Sequence, residues 1–536
     1  MLFFYFPLIL FSILGYGFFT SVKIIKLNKN NLGYQGLVGI FSLLLISYIS
    51  TQFVPHNIIF NLLILFIGLI LFLTNVKTMN INKKNFQLLF LIILLSLIFI
   101  LVGKNHDDFF YYHFPYILTL TEYAHPIGLG NLNLGFNTHS SIFLLSSLFH
   151  LPGAKYSLFH LAPAYILIFS NYIILKLIFN NRIKKNYSFI LYLSLSALVF
   201  FNIFFYRLGE HGTDRSAMIL IILLVTNLLY FINKKTEKID DNYLKLFIII
   251  FTIIISLKAF YLIYAILFIP LAIYVFNKIK SLKIFFNINL LLCFTLFAFV
   301  LLTNFFNTGC LLFPEKNTCF HDMSWAASSN KVEYLRNHYE NWAKAGSGAG
   351  YTISDKDKLS YLINLNWVPN WMEKYFFNKV SDLIYSLGFV SLIFIFVFKG
   401  LKSKKILNRN YKLIFALLML IFAIWFLLHP SLRYGGYHLF FFLFFIPLSI
   451  FLEKFNNIKN INNKITLILM ITILTFYGRN ISRLIKEYKV YSYKPFITVN
   501  YPIHKDGFRY QDKMERAIKE KKAIELYKNR YIFIKN

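Results

Sequence analysis

Cysteine is almost missing from this sequence: 536 residues carry three, Cys293, Cys310 and Cys319. None belongs to a CxxC pair or to Cys/His zinc spacing, which argues against a structural metal site. Acidic residues are scarce too, 23 Asp and Glu against 55 Lys and Arg, giving a formal net charge of +32. Charged residues of either sign make up only 15% of the chain, where globular proteins carry about 25%. No repeat with a period of roughly 20–50 residues recurs, which excludes a repeat array. No two matching halves with Gly/Pro-interrupted helices are visible, and those are the usual mark of a secondary transporter. The opening MLFFYFPLILFSILGYGFF has no basic n-region and no small-residue cleavage site, so it reads as a first membrane helix and not as a cleaved signal peptide.

What fills the sequence is apolar: 57% hydrophobic and 19% aromatic residues. Apolar runs fall near 2–20, 35–52, 57–75, 86–102, 157–178, 187–205, 215–232, 244–256, 260–276, 285–302, 381–398, 411–428, 438–452 and 464–477. Runs of this length span a bilayer as helices. The expectation is an all-α polytopic membrane protein of about 12–14 transmembrane helices, the count falling below 14 if the short run before Lys258 does not span. A membrane domain is expected over 1–477, with large loops at 103–156 and 303–380 and a basic C-terminal tail over 478–536.

Lys outnumbers Arg 44 to 11, and Asn, Ile, Phe and Tyr, the residues of AT-rich codons, are abundant. Basicity is therefore a poor argument for nucleic acid, which is not expected as a partner; the lipid bilayer is. Grouped by alternate connections, Lys and Arg number 26 on one side, against six in the short connections of the other: Lys104, Lys155, Arg207, Arg215, Lys258 and Arg433. The positive-inside rule makes the first side cytoplasmic. The N-terminus and the segments 103–156, 206–214, 303–380 and 478–536 are then extracytoplasmic.

Chemistry concentrates in those outer segments. Asp107 and Asp108 stand together where the helix ending near Val102 leaves the membrane, at the head of the aromatic stretch HDDFFYYHFPYI. Paired carboxylates repel, which raises one pKa to give a base, or they hold a divalent cation; the alternative is a polar helix cap. His113 follows Asp108 by five residues and can flank the acids on one helical face, although His106, His113, His125, His139 and His150 also suit simple packing among interfacial aromatics. YRLGEHGTDRSAM (206–218) gathers Arg207, Glu210, His211, Asp214 and Arg215, either as a functional cluster or as a network that pins a loop. Lys258 either snorkels or binds a lipid phosphate. Arg433 is the lone charge of an outer connection, flanked by His429, Tyr434, Tyr437 and His438, and its fork suits phosphate. Cys310 and Cys319 lie nine positions apart on the oxidising side and are expected to form a disulfide, the alternative being two buried thiols.

With its acidic pair at the head of a large outer loop, and with Arg433-Tyr434 late in the chain, the sequence resembles the GT-C class of integral-membrane glycosyltransferases. Within that class it looks most like a group of uncharacterised bacterial multi-pass proteins, through DD…YYHFPYI, TGCLLFP…TCF and LRYGG. The resemblance implies sugar transfer from a polyprenyl-phosphate carrier to a glycan, lipid or protein acceptor at the outer face of the inner (plasma) membrane. It implies a carboxylate base at Asp107 or Asp108, with Asp107 favoured, and inversion at the anomeric carbon. Arg433, Lys258 and Arg215 are the candidate cations for the leaving phosphate, with Tyr434 and His113 beside the substrate. A divalent cation, if used, would fall to Asp107 and Asp108. No WWD-like motif is present, which argues against an oligosaccharyltransferase proper. The competing classes are a surface polysaccharide polymerase or ligase, and a non-enzymatic transporter of lipid-linked glycans.

Overall fold

A computed structural model describes residues 1–27, 31–77, 82–102, 108–154, 156–182, 188–210, 213–234, 239–348, 353, 358–400, 411–455, 460–492, 509–520, 522–527 and 530–534. The chain is an all-α polytopic membrane protein. Among the described residues, ten helical stretches are long and apolar enough to cross a bilayer, and Ser188–Phe204 and Lys412–Leu428 are shorter apolar helices. Every apolar run named above overlaps helical structure, although the helix of the 86–102 run ends at Ser96 and the 260–276 run begins as the 3₁₀ segment Ala259–Leu267.

Asparagine starts many of these helices. Asn31 accepts from the amides of Gly33 and Tyr34 at 3.0 and 3.3 Å, and Asn57, Asn82 and Asn287 cap the next helices in the same way. Each satisfies an amide that the helix itself leaves unbonded. Glycine then sets how closely the first helices approach. A Cβ on Gly15 would stand 1.9 Å from the Gly68 carbonyl oxygen, so Leu2–Phe19 crosses Ile58–Asn75 at backbone contact. Between helices in lipid, where burial of apolar surface offers little gain, such close packing is a main source of association.

Burial separates the centre from the rim. Leu161–Asn181 and Thr213–Asn233 are 89% buried within the bundle, whereas Ile58–Asn75 is 22% buried. Side chains such as Ile59, Leu73, Phe389 and Phe396 point outward and bare. On helices long and apolar enough to cross a bilayer, such bare side chains suit acyl chains.

The alternation of spans puts the segments after Val102, Phe204, Leu257, Thr308 and Leu428 at one end of the bundle, and they meet there. Lys331 Nζ donates to Gly130 O at 3.1 Å, and Arg483 Nη2 donates to Leu101 O at 2.7 Å. The first large loop folds as short helices, among them Phe109–His113, Phe114–Glu122 and Ser141–Ser147. The last part of the chain is not a detached tail. The helix Ile461–Tyr491 runs past residue 477, and Arg509–Lys519 packs on the first loop, where Gln511 donates to Pro115 O at 3.1 Å. The antiparallel strands Ala523–Tyr527 and Arg530–Phe533 follow, with Ile532 pairing in parallel with Ile127 of the same loop. Cys310 and Cys319 are joined as a disulfide, and Cys293 is a buried free thiol.

Candidate functional site

At the end where the loops meet lies a cavity of about 460 Å³, within the range of roughly 300–1,000 Å³ usual for small-molecule sites. Five charged residues line it: Arg336, which pairs with Glu315 at 3.7 Å, and four others from four places in the chain that converge on one another. Asp108 immediately precedes the Phe109–His113 turn of the first loop. Asp214 occupies the first turn of Thr213–Asn233, where the helix dipole favours an acid. Lys258 is the extended residue between the helix Asp241–Leu257 and the 3₁₀ segment Ala259–Leu267. Arg433 belongs to the short turn Leu432–Tyr434.

Arg433 bridges the two acids. Its Nε donates to Asp214 Oδ2 at 3.0 Å, and its Nη2 donates to Asp108 Oδ2 and, at 3.4 Å, to the Tyr112 hydroxyl. Lys258 Nζ takes the other Asp214 oxygen at 2.7 Å and lies 4.8 Å from the centre of the Tyr434 ring. The Asp214 side chain is only 8% exposed, against 24% for Asp108, 29% for Lys258 and 33% for Arg433. Two cations thus balance two carboxylates, with one acid at the back of the cluster and one toward the opening. Burial opposes the Arg433 charge, but Tyr112, Asp214 and Asp108 outweigh it and hold the guanidinium well above its usual range. Burial likewise raises Tyr112 and Tyr434, so both hydroxyls stay protonated.

The aim of Arg433 is fixed from behind. Trp371 Nε1 donates to Pro430 O at 2.8 Å, Trp425 Nε1 to Ser431 O at 3.0 Å, and the Leu432 amide to the Tyr375 hydroxyl at 2.8 Å. Gly435, with φ near +121°, then lets the chain turn into Gly436–Glu453; a Cβ there would be strained and would stand 3.1 Å from the His438 ring. Trp371 and Tyr375 come from the 303–380 loop, so that loop positions the arginine. It supplies cavity wall as well: His338, Tyr339 and Trp342 line the space, and the Trp342 ring sits 5.4 Å from Tyr434.

Of the residues singled out in the sequence, Asp108, Lys258, Arg433 and Tyr434 therefore come together. Asp107 lies outside the described residues. His113 is buried edge-on to Tyr112, at 4.3 Å between rings, and is not on the cavity wall. Arg215 is not on the wall either; its neighbours Thr213 and Asp214 are. The described loop histidines pack among rings: His125 against Tyr116, His139 against Tyr48, His150 stacked on Tyr156. His139 also bonds Tyr48 at 2.7 Å and Asn304 at 3.0 Å, and burial lowers it to about 4, so it is neutral. Among the described residues no group of three or more His, Cys, Asp or Glu converges as a metal site. Of the pair proposed to hold a divalent cation, Asp108 is engaged by Arg433.

Asp214, named in the sequence only as a member of the 206–218 cluster from which Arg215 is the candidate cation, is the residue that pairs with both Lys258 and Arg433. An acid in the first turn of a 21-residue apolar helix was the signal available.

The chain matches no curated protein and no solved structure. Residues 1–441 match the family model described as a Domain of unknown function (DUF8201), and the chain belongs to that family.

Proposed function

We propose that this protein is a GT-C-type glycosyltransferase, moving a sugar from a polyprenyl-phosphate carrier to an acceptor hydroxyl at the extracytoplasmic face of the inner (plasma) membrane. The observation that carries this reading is Arg433, held between Asp108 and Asp214 on the wall of a cavity at one end of a membrane bundle. Direct displacement at an anomeric carbon needs three things in one place: a cation for the departing phosphate, a carboxylate for the acceptor proton, and a surface for the sugar.

Arg433 and Lys258 supply the cations. The acceptor oxygen bonds to the anomeric carbon as the carbon–phosphate-oxygen bond breaks, and the electron pair passes to a phosphate oxygen that these donors stabilise. The proton leaves the acceptor for a carboxylate, Asp108 or its neighbour Asp107, and the anomeric centre inverts. Tyr339 and Trp342 offer flat faces to a sugar ring.

The ion pair adds a coupling. A carboxylate bonded to a guanidinium is a weak base, because the cation stabilises its charged form. When a donor phosphate draws Nη2 of Arg433 away, Asp108 regains basicity while Asp214 still holds Arg433 through Nε. Donor binding would thus arm the base.

The test is purified protein in nanodiscs supplied with polyprenyl-phosphate sugars, together with mass spectrometry of surface glycans from a deletion strain. Release of polyprenyl phosphate and loss of one sugar from a surface glycan are the expected results. No release from any such donor, with an unchanged glycan profile, would overturn the reading. A polymerase or ligase would survive replacement of the acids, which a transferase of this type would not.

A further inference from the structure

The helix Ile461–Tyr491 leaves its apolar stretch at Tyr477 and continues for 14 residues as GRNISRLIKEYKVY. Arg479, Arg483 and Lys486 recur there at i, i+4 and i+7, which places them along one face. With Tyr206 and Arg207, just past Ser188–Phe204, they line a second cavity of about 410 Å³ that shares no lining residue with the first.

The cations of this cavity fall into two kinds. Arg207 is engaged by Glu210, through Nε and Nη2 both at 2.7 Å. Arg483 is buried, pairs with Glu487 at 2.9 Å and holds the Leu101 carbonyl. Arg479 and Lys486 are exposed, and neither pairs with a carboxylate among the described residues. The Arg479 guanidinium is oriented by the Tyr206 ring, 3.9 Å away, and by one bond from Nη1 to Ile203 O at 2.8 Å. Its other N–H groups have no partner among the described residues. Four cations against Glu210 and Glu487 leave a net charge of +2.

The geometry points to a binding site for the phosphate of an anionic lipid, separate from the Asp108–Arg433 cavity. Three features select that ligand. The site lies where the helix passes from apolar to charged sequence, which is headgroup depth in a bilayer. A guanidinium fork held in place, with an exposed ammonium on the same cavity wall, suits phosphate oxygens. The positive charges already present are internally paired except for the two that face outward. The phosphate is either the diester of a bulk phospholipid or the monoester of a polyprenyl carrier; both present anionic non-bridging oxygens to Arg479 and Lys486. The inference stands independently of the transferase reading.

Native mass spectrometry of the full-length chain in detergent tests it, with phosphatidylglycerol, phosphatidylcholine, polyprenyl monophosphate and sodium phosphate added in separate titrations. Each lipid is compared between the wild type and the variants Lys486→Gln and Arg479→Gln/Lys486→Gln, so that any contribution of the first cavity is common to both. Lys486 makes no hydrogen bond or ion pair among the described residues, so its replacement leaves the fold intact. The expected result is that Lys486→Gln weakens retention of an anionic lipid about tenfold, as for one charged hydrogen bond. The double variant should retain that lipid no better than phosphatidylcholine. Phosphatidylglycerol affected in this way identifies the bulk phospholipid as the ligand; polyprenyl monophosphate alone affected identifies the carrier. Equal retention of every lipid by wild type and double variant, or a response to sodium phosphate alone, would overturn the proposal.

Discussion

Arg433 donates through Nε to Asp214 at 3.0 Å, although 219 positions separate them in the chain. The same carboxylate accepts from Lys258 at 2.7 Å. One buried acid therefore holds two of the cations on the cavity wall, Lys258 and Arg433, and it joins a helix start, a break between helices and a turn.

Asp214→Asn should show this. It keeps the shape and removes the charge that two cations share. Removing one partner of a buried pair costs about 3–5 kcal/mol, and the exposure of Lys258 and Arg433 to about a third places this case at the lower end. Unfolding of the purified variant in detergent should show that loss. A variant as stable as the wild type would mean that Asp214 does not organise the cluster.

The spans were legible because each is a run of apolar residues and lipid tolerates little else. Their alternation alone puts Asp108, Lys258 and Arg433 at one end. Asp214 was not legible as the hub. Successive residues of a helix point about 100° apart, so the choice between Asp214 and Arg215 depended on which face of Thr213–Asn233 turns toward the cavity, and a helix apolar all round does not announce its face. The pairing of Ile127 with Ile532 was hidden for a different reason: nothing local marks a strand for a partner some four hundred positions away. The helix beyond residue 477 was within reach, since Arg479, Arg483 and Lys486 repeat at helical spacing, with Glu487 four residues after Arg483.

The disulfide between Cys310 and Cys319 closes a small ring that contains Phe313 and Pro314, both on the cavity wall. Replacing both cysteines by serine should cost about 2–3 kcal/mol through freedom regained by the unfolded chain. It should also raise the KM for whichever substrate touches Phe313. Non-reducing peptide mapping that finds two free thiols in the native protein would exclude the linkage.

His139 gives a pH dependence of defined sign. Burial lowers its pKa to about 4, and the Asn304 hydrogen bond opposes this only in part. A histidine neutral when folded but protonated near 6.5 when unfolded contributes stability that is full above about pH 6.5. That contribution is lost as pH falls toward 4, at up to about 1.4 kcal/mol per unit. Denaturation between pH 7 and 4 should be shallower in His139→Gln than in the wild type. Identical slopes would show that His139 does not stay neutral in the folded state.

Orientation in the membrane can be read by labelling. A cysteine at Ser492 should react with a membrane-impermeant maleimide in intact spheroplasts, and one at Ser403 should not. Background is low, because Cys293 is buried and Cys310 and Cys319 are bonded to each other. The reverse pattern would place the Arg433 cavity on the cytoplasmic side.

The most direct measurement is turnover of polyprenyl-phosphate sugars in nanodiscs by Asp107→Asn, Asp108→Asn, Arg433→Ala and Arg433→Lys. Loss of a general base costs about 10²–10⁴ in rate, so at least one of the two Asn variants should fall by that factor. Arg433→Ala should lose both donor affinity and rate. Arg433→Lys should recover only part, because one ammonium cannot reproduce the bridge from Asp214 to Asp108. Near wild-type turnover in both Asn variants would make the acidic pair a polar helix cap and contradict the mechanism.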